Sequence, residues 1–111
     1  MPADCLFCAI AEGRIPSKVI AKNQDVTVFE DIQPQAPVHW LLIPNHHVAS
    51  HGAVADDAIY AQLLAMAREI TRQHQLDNYR LVINNGPEAG QSVFHLHLHL
   101  LAGRSFCWPP G

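Results

Sequence analysis

Apolar positions along this chain follow two different periods, and each period predicts a type of element. In residues 56–74, Ile59, Leu63, Met66 and Ile70 recur at intervals of four, three and four, which draws one stripe down a helix. Asp56 and Asp57 stand at its start, and Arg68 and Arg72 late in it, as the helix dipole favours. Elsewhere the apolar runs are short and bounded by turn residues. They predict strands over 18–21, 26–31, 38–43, 79–84 and 93–101, with Asn23-Gln24-Asp25 turning the first pair. A brief helix over 5–12 closes at Gly13, and Pro34 and Pro37 break the stretch before the third strand. Strands joined by short turns, with one long helix, predict an α+β domain on an antiparallel sheet of about five strands.

The last predicted strand is unlike the others. His95-Leu96-His97-Leu98-His99-Leu100-Leu101 alternates strictly, so on a strand the three imidazoles share one face and the alternating leucines the other. Same-face neighbours on a strand stand roughly 7 Å apart, so the row suits one small anion or one metal ion. A neutral imidazole can attack phosphorus while a neighbouring imidazolium donates a proton. It can equally ligate a transition metal, where His-x-His is common. The preceding loop, Gly86-Pro87-Glu88-Ala89-Gly90-Gln91-Ser92, adds small residues whose amides can approach phosphate oxygens, and a hydroxyl three residues before His95.

Composition narrows the classes. A chain of 111 residues suits one domain with one core. The net charge of −3 offers no basic field for tracking DNA or RNA, although a single nucleotide needs none. Only 15% of residues are charged, which leaves apolar surface to hide and favours an oligomer. No apolar run approaches the length of a membrane span, and the opening residues lack a secretory pattern. Three cysteines, an odd count, read as a metal half-site or free thiols in a cytoplasmic protein.

Taken together, these residues resemble the histidine triad (HIT) superfamily. The run from His95 to Leu101 matches its His-φ-His-φ-His-φ-φ motif. Phe29-Glu30-Asp31-Ile32-Gln33-Pro34-Gln35-Ala36-Pro37-Val38-His39 resembles its ribose-binding segment, and Leu42-Ile43-Pro44 the strand that follows. Asn84-Asn85-Gly86, Gly90-Gln91-Ser92-Val93 and Trp108-Pro109-Pro110-Gly111 resemble the Hint branch, the purine nucleoside phosphoramidases of the superfamily.

The resemblance runs nearly end to end, as a single domain over 1–111. It implies a HIT-like fold, a homodimer whose sheets join, and hydrolysis of purine nucleoside 5′-monophosphoramidates through a covalent nucleotidyl-histidine. Within it, His97 would be the nucleophile and His99 would bond a non-bridging phosphate oxygen. His39 would hydrogen-bond the nucleophile, and Ser92 would donate to the phosphate or the leaving group. Asn84 and Gln91 would line the phosphate pocket with Val93 beside them, and Asp31 would accept from the ribose hydroxyls. Leu6, Phe7, Ile10, Phe29 and Ile32 would surround the nucleoside, although apolar residues at these positions also suit a core.

Cys5-x-x-Cys8 divides the superfamily. Members with this pair hold zinc through two cysteines and two histidines, which implies Cys5, Cys8, His47 and His95 here, with His46 the neighbour that competes with His47. Four protein ligands close such a site, so the zinc would be structural and catalysis would need no cofactor. The superfamily also includes dinucleoside polyphosphate hydrolases, and a nucleotide-binding interaction module with incidental turnover is a further alternative. Cys107 has no reading.

Overall fold

The computed structural model describes residues 4–111. Its elements run α1 (Leu6–Ala11), β1 (Val19–Lys22), β2 (Val26–Glu30), β3 (Val38–Pro44), α2 (Ala58–Gln73), β4 (Tyr79–Val82) and β5 (Leu98–Ala102). Single 3-10 turns lie at His51–Ala53 and Pro87–Ala89. The strands form one sheet in the order β1-β2-β3-β5-β4, and every neighbouring pair is antiparallel. This is the α+β architecture the periodicity predicts.

Local chemistry sets the turns and helix starts. The Asn23 side-chain oxygen accepts the amides of Asp25 and Val26 at 2.8 Å each, which folds β1 back into β2. Cys5 caps α1 by accepting the Cys8 amide on its sulfur at 3.3 Å. At the start of α2, Asp56 accepts the Ala58 amide at 3.0 Å, so the helix begins two residues later than its apolar stripe predicts.

Alternation sorts the sheet into two faces. Val26, Val28, Trp40, Leu42, Leu98 and Leu100 pack with Leu63, Met66, Ala67 and Ile70 of α2 in one core. Phe29, Leu41 and Ile43 point the other way and pack with Phe7, Ile10 and Ala11 of α1. His39, His97 and His99 share the parity of this second face.

β4 ends at Val82, two residues short of the prediction, and β5 departs further. The alternation suggests a strand over 93–101, yet ladder pairing starts at Leu98, opposite Leu42. Upstream of that pair the bonding groups are engaged elsewhere. The His95 ring takes the Pro44 carbonyl at 2.8 Å, and the Leu96 amide donates to Val48 at 2.6 Å. Residues 95–97 therefore keep the alternation without the ladder: Leu96 still enters the α2 core.

Candidate active site and metal cluster

β5 and the segment before it carry three imidazoles to the α1 side, and each ring is fixed by a different partner. Nδ1 of His97 lies 2.8 Å from the main-chain oxygen of His95. A carbonyl only accepts, so Nδ1 carries the hydrogen and Nε2 of the neutral ring keeps a bare lone pair. Phe7 meets this ring edge-on at 5.2 Å and meets Phe29 in the same way at 5.3 Å. The nucleophile candidate is thus tautomer-locked from below and walled by aromatics.

His99 is tied to His39. The β3–β5 register sets Leu41 opposite His99 and His39 opposite Leu101, which makes the two histidines diagonal neighbours. Nε2 of His39 lies 2.9 Å from Nδ1 of His99 and 3.4 Å from a carboxylate oxygen of Asp31. The Gln35 amide donates to Nδ1 of His39 at 3.0 Å. The sequence reading pairs His39 with the nucleophile; the structure corrects this, because the register delivers its Nε2 to His99.

Burial holds both rings neutral near pH 7. It lowers His39, against a partial lift from the Asp31 carboxylate. It pushes His99 down to about 4, helped by His97 and His39 and opposed by Asp31.

The remaining sequence-predicted residues divide by exposure. Asp31, assigned to the ribose, accepts the Gln33 amide on one oxygen at 2.8 Å and turns the other toward His39. Gln91 is buried, and both ends of its amide meet main chain: Gly86 on the oxygen, Ala49 and Val93 on the nitrogen. It shapes the loop whose positive φ angles at Gly86 and Gly90 only glycine adopts readily. Ser92 in that loop is exposed, Val93 packs on the α1 cluster, and Asn84 lies beside Gly90. Ile32 is 91% exposed and Leu6 44%, whereas Phe7, Ile10 and Phe29 are core.

His95 turns its ring to a separate cluster. Its Nε2 donates to the Pro44 carbonyl, which leaves Nδ1 bare. That nitrogen lies 3.3 Å from Cys5 Sγ, 3.5 Å from Cys8 Sγ and 3.3 Å from His47 Nδ1. Cys8 Sγ is 3.4 Å from His47 Nδ1. A tetrahedral ion bonded at about 2.05 Å to nitrogen and 2.3 Å to sulfur has N···N edges of ~3.3 Å and N···S edges of ~3.6 Å. These four edges match a zinc-sized ion, and all four ligand atoms lie within 4.8 Å of one another. Of the adjacent histidines, His47 joins the cluster and His46 is exposed.

Burial pushes the Cys8 thiol up to about 11, reinforced by the bond and charge of Cys5. It pushes His95 down to about 4, against the Pro44 carbonyl. A cation among these groups reverses the thiol's preference, since its charge favours the thiolate.

Asp31, His39 and His99 also stand within metal-ligand spacing of one another. Their hydrogen bonds suit a relay better than a ligand set. With the Gln35 amide on Nδ1, a neutral His39 carries its hydrogen on Nε2, the atom a metal would need.

Two residue groups escape a reading of side chains alone. The Gln35 and His95 contributions are main-chain groups, which carry no residue-type signal. The Pro44 carbonyl had one: a proline ends the third predicted strand there.

Comparison with known proteins converges on one group. A model described as HIT domain matches residues 12–106. The chain is 45% identical to an uncharacterized HIT-like protein of Synechocystis, over 100% of both chains. It is also 45% identical to a HIT family hydrolase from Legionella pneumophila Philadelphia 1, with a TM-score of 0.93 over 97% of this chain and 100% of that one. A histidine triad protein from Clostridium difficile superposes with a TM-score of 0.93 at 34% identity, over 96% of each chain.

Proposed function

The chain belongs to the HIT domain family, and from that premise we propose that it is a Hint-type hydrolase of purine nucleoside 5′-monophosphoramidates. The observation that carries this reading is the bond from His97 Nδ1 to the His95 oxygen at 2.8 Å. It leaves Nε2 of His97 free to attack.

In the proposed reaction the Nε2 lone pair bonds to the α-phosphorus and the P–N bond breaks. Its electron pair leaves on the amine nitrogen, which takes up a proton. Water then displaces His97 from phosphorus, releasing the nucleoside monophosphate. Ser92 and His99 are the hydroxyl and imidazole donors for the charge that develops on the phosphoryl oxygens and leaving group. Asn84 and the glycine loop bound the phosphate, and Asp31 takes the ribose hydroxyls on the remaining lone pairs of its carboxylate. Phe7, Ile10 and Phe29 wall the base, with Leu6 and Ile32 closing over it.

The proposal extends to the surroundings of the site. Cys5, Cys8, His47 and His95 would hold one structural zinc, whose chemistry is to tie α1 to the segment that carries His97. Their spacing supports it, and four protein ligands leave no place for a reacting water. β4 is an edge strand carrying exposed Tyr79 and Leu81, which supports a homodimer whose sheets join there. Cys5, Cys8 and Cys107 form no disulfide, which supports a reducing compartment, the cytoplasm. Among the described residues no helix is long and apolar enough to cross a membrane.

The test is hydrolysis of an adenosine phosphoramidate with a fluorogenic amine. Native protein turns it over, and His97→Ala lowers kcat by at least about 10⁴-fold while AMP still binds. Native protein that binds AMP without turnover overturns the phosphoramidase reading.

A further inference from the structure

We propose that the main-chain amide of Gln35 is a positioning group: it fixes His39 as an Nε2–H donor to His99, and so fixes His99 as an Nε2–H donor on its other edge. The catalytic consequence rests on the phosphoramidase reading above; the tautomers rest on geometry alone.

An amide can only donate, so at 3.0 Å the Nδ1 of His39 must accept. A ring that accepts on Nδ1 has its single hydrogen on Nε2, and burial likewise disfavours the doubly protonated form. Two acceptors stand within reach, His99 Nδ1 at 2.9 Å and the Asp31 oxygen at 3.4 Å. The shorter contact takes the hydrogen, and the nearby carboxylate favours its position. His99 accepts on Nδ1 and therefore holds its own hydrogen on Nε2.

The consequence is a matched pair on one face. In the neutral form of His97 the His95 carbonyl leaves Nε2 bare, and the Gln35 amide puts an Nε2–H on His99 two residues on. One main-chain acceptor and one main-chain donor thus assign opposite tautomers to neighbouring rings, whose centroids lie 5.0 Å apart. An attacking atom beside a donor for the phosphoryl oxygen is what in-line displacement needs.

The loop that presents Gln35 is held for this task from several sides. Arg104 Nε donates to the Gln35 oxygen at 3.0 Å, with its guanidinium 4.3 Å above the Phe106 ring. The Gln35 side chain donates back to the Gln33 oxygen at 3.0 Å, and Asp31 accepts the Gln33 amide. Pro34 and Pro37 restrict the backbone on either side.

Nitrogen-15 spectra of the histidines in the native protein at pH 7 test this without any turnover. The expected result is an N–N coupling across the hydrogen bond from Gln35 to Nδ1 of His39, with His39 and His99 both as Nε2–H tautomers. A protonated Nδ1 on either ring overturns the proposal. Gln35→Pro removes the donor, and His39 should then populate both tautomers, while Gln35→Ala keeps the amide and the native tautomer. In Gln35→Pro, kcat for the adenosine phosphoramidate should fall about 100-fold, the low end for one acid–base contact, with AMP affinity within threefold. A lost kcat with the His39 tautomer unchanged overturns the positioning role. The native spectra decide the tautomers even where Gln35→Pro fails to fold. Native tautomers as stated, in a protein without turnover, would sink the phosphoramidase reading and leave the relay standing.

Discussion

His95 and His97 share one hydrogen bond, 2.8 Å from the main-chain oxygen of the first to Nδ1 of the second. The ring of His95 meanwhile faces Cys5, Cys8 and His47. The cysteine cluster and the nucleophile candidate are therefore held by a single residue, and what loosens one loosens the other.

Metal content and stability should fall together in Cys8→Ser. Native protein purified with zinc should carry about one ion per chain, and the variant less than about a tenth of that, read by elemental analysis. Its Tm should drop by roughly 10 °C, about 2 kcal/mol for a domain of this size. A variant that loses the ion and keeps its Tm would deny the cluster a structural role.

Acid should act through the buried His39–His99 pair. Both rings have folded pKa values below the ordinary 6.5, that of His99 at about 4. Above pH ~6.5 they are neutral folded and unfolded, and contribute no pH dependence. As pH falls from ~6.5 toward about 4 the unfolded chain binds the protons first, so stability declines through that window. Urea midpoints of native protein and His99→Gln, measured across it, should diverge, with the shallower slope in the variant. Parallel slopes would mean that His99 titrates normally.

Two glycines separate backbone strain from lack of room. Gly13 and Gly103 both have positive φ, 75° and 94°. A Cβ on Gly13 meets nothing within 4 Å, whereas on Gly103 it meets the Pro37 Cβ at 2.8 Å. Gly13→Ala should cost about 1 kcal/mol in chemical denaturation, from conformation alone. Gly103→Ala should cost about 2–3 kcal/mol, because Pro37 must also yield. Equal costs would mean that Pro37 moves freely.

Oligomeric state should respond at the edge strand. Leu81, 37% exposed on β4, lies where a second sheet would join. Leu81→Lys places a charge there and should shift the mass by sedimentation from two chains toward one. A native protein that sediments as a monomer would sink the dimer proposal.

Much of the fold is legible in local pattern. The stripe of Ile59, Leu63, Met66 and Ile70 locates α2 within two residues at each end, and β2 and β3 within one. The start of β5 is not legible, since alternation continues through 93–97 while pairing needs a free partner. The link between His39 and His99 depends on inter-strand register, which neither strand encodes alone. Cys5-x-x-Cys8 by itself leaves a half-site or free thiols open; the chain path beyond β3 brings His47, and not His46, to it.

The division of β5 into a leucine side and a histidine side has a consequence for assembly. A slip of one residue against β3 would drive His97 and His99 into the α2 core and turn Leu98 and Leu100 outward. Such a chain would lose its packing and its chemistry in one error. Correct folding and the placement of both histidines on the α1 side are thus a single event.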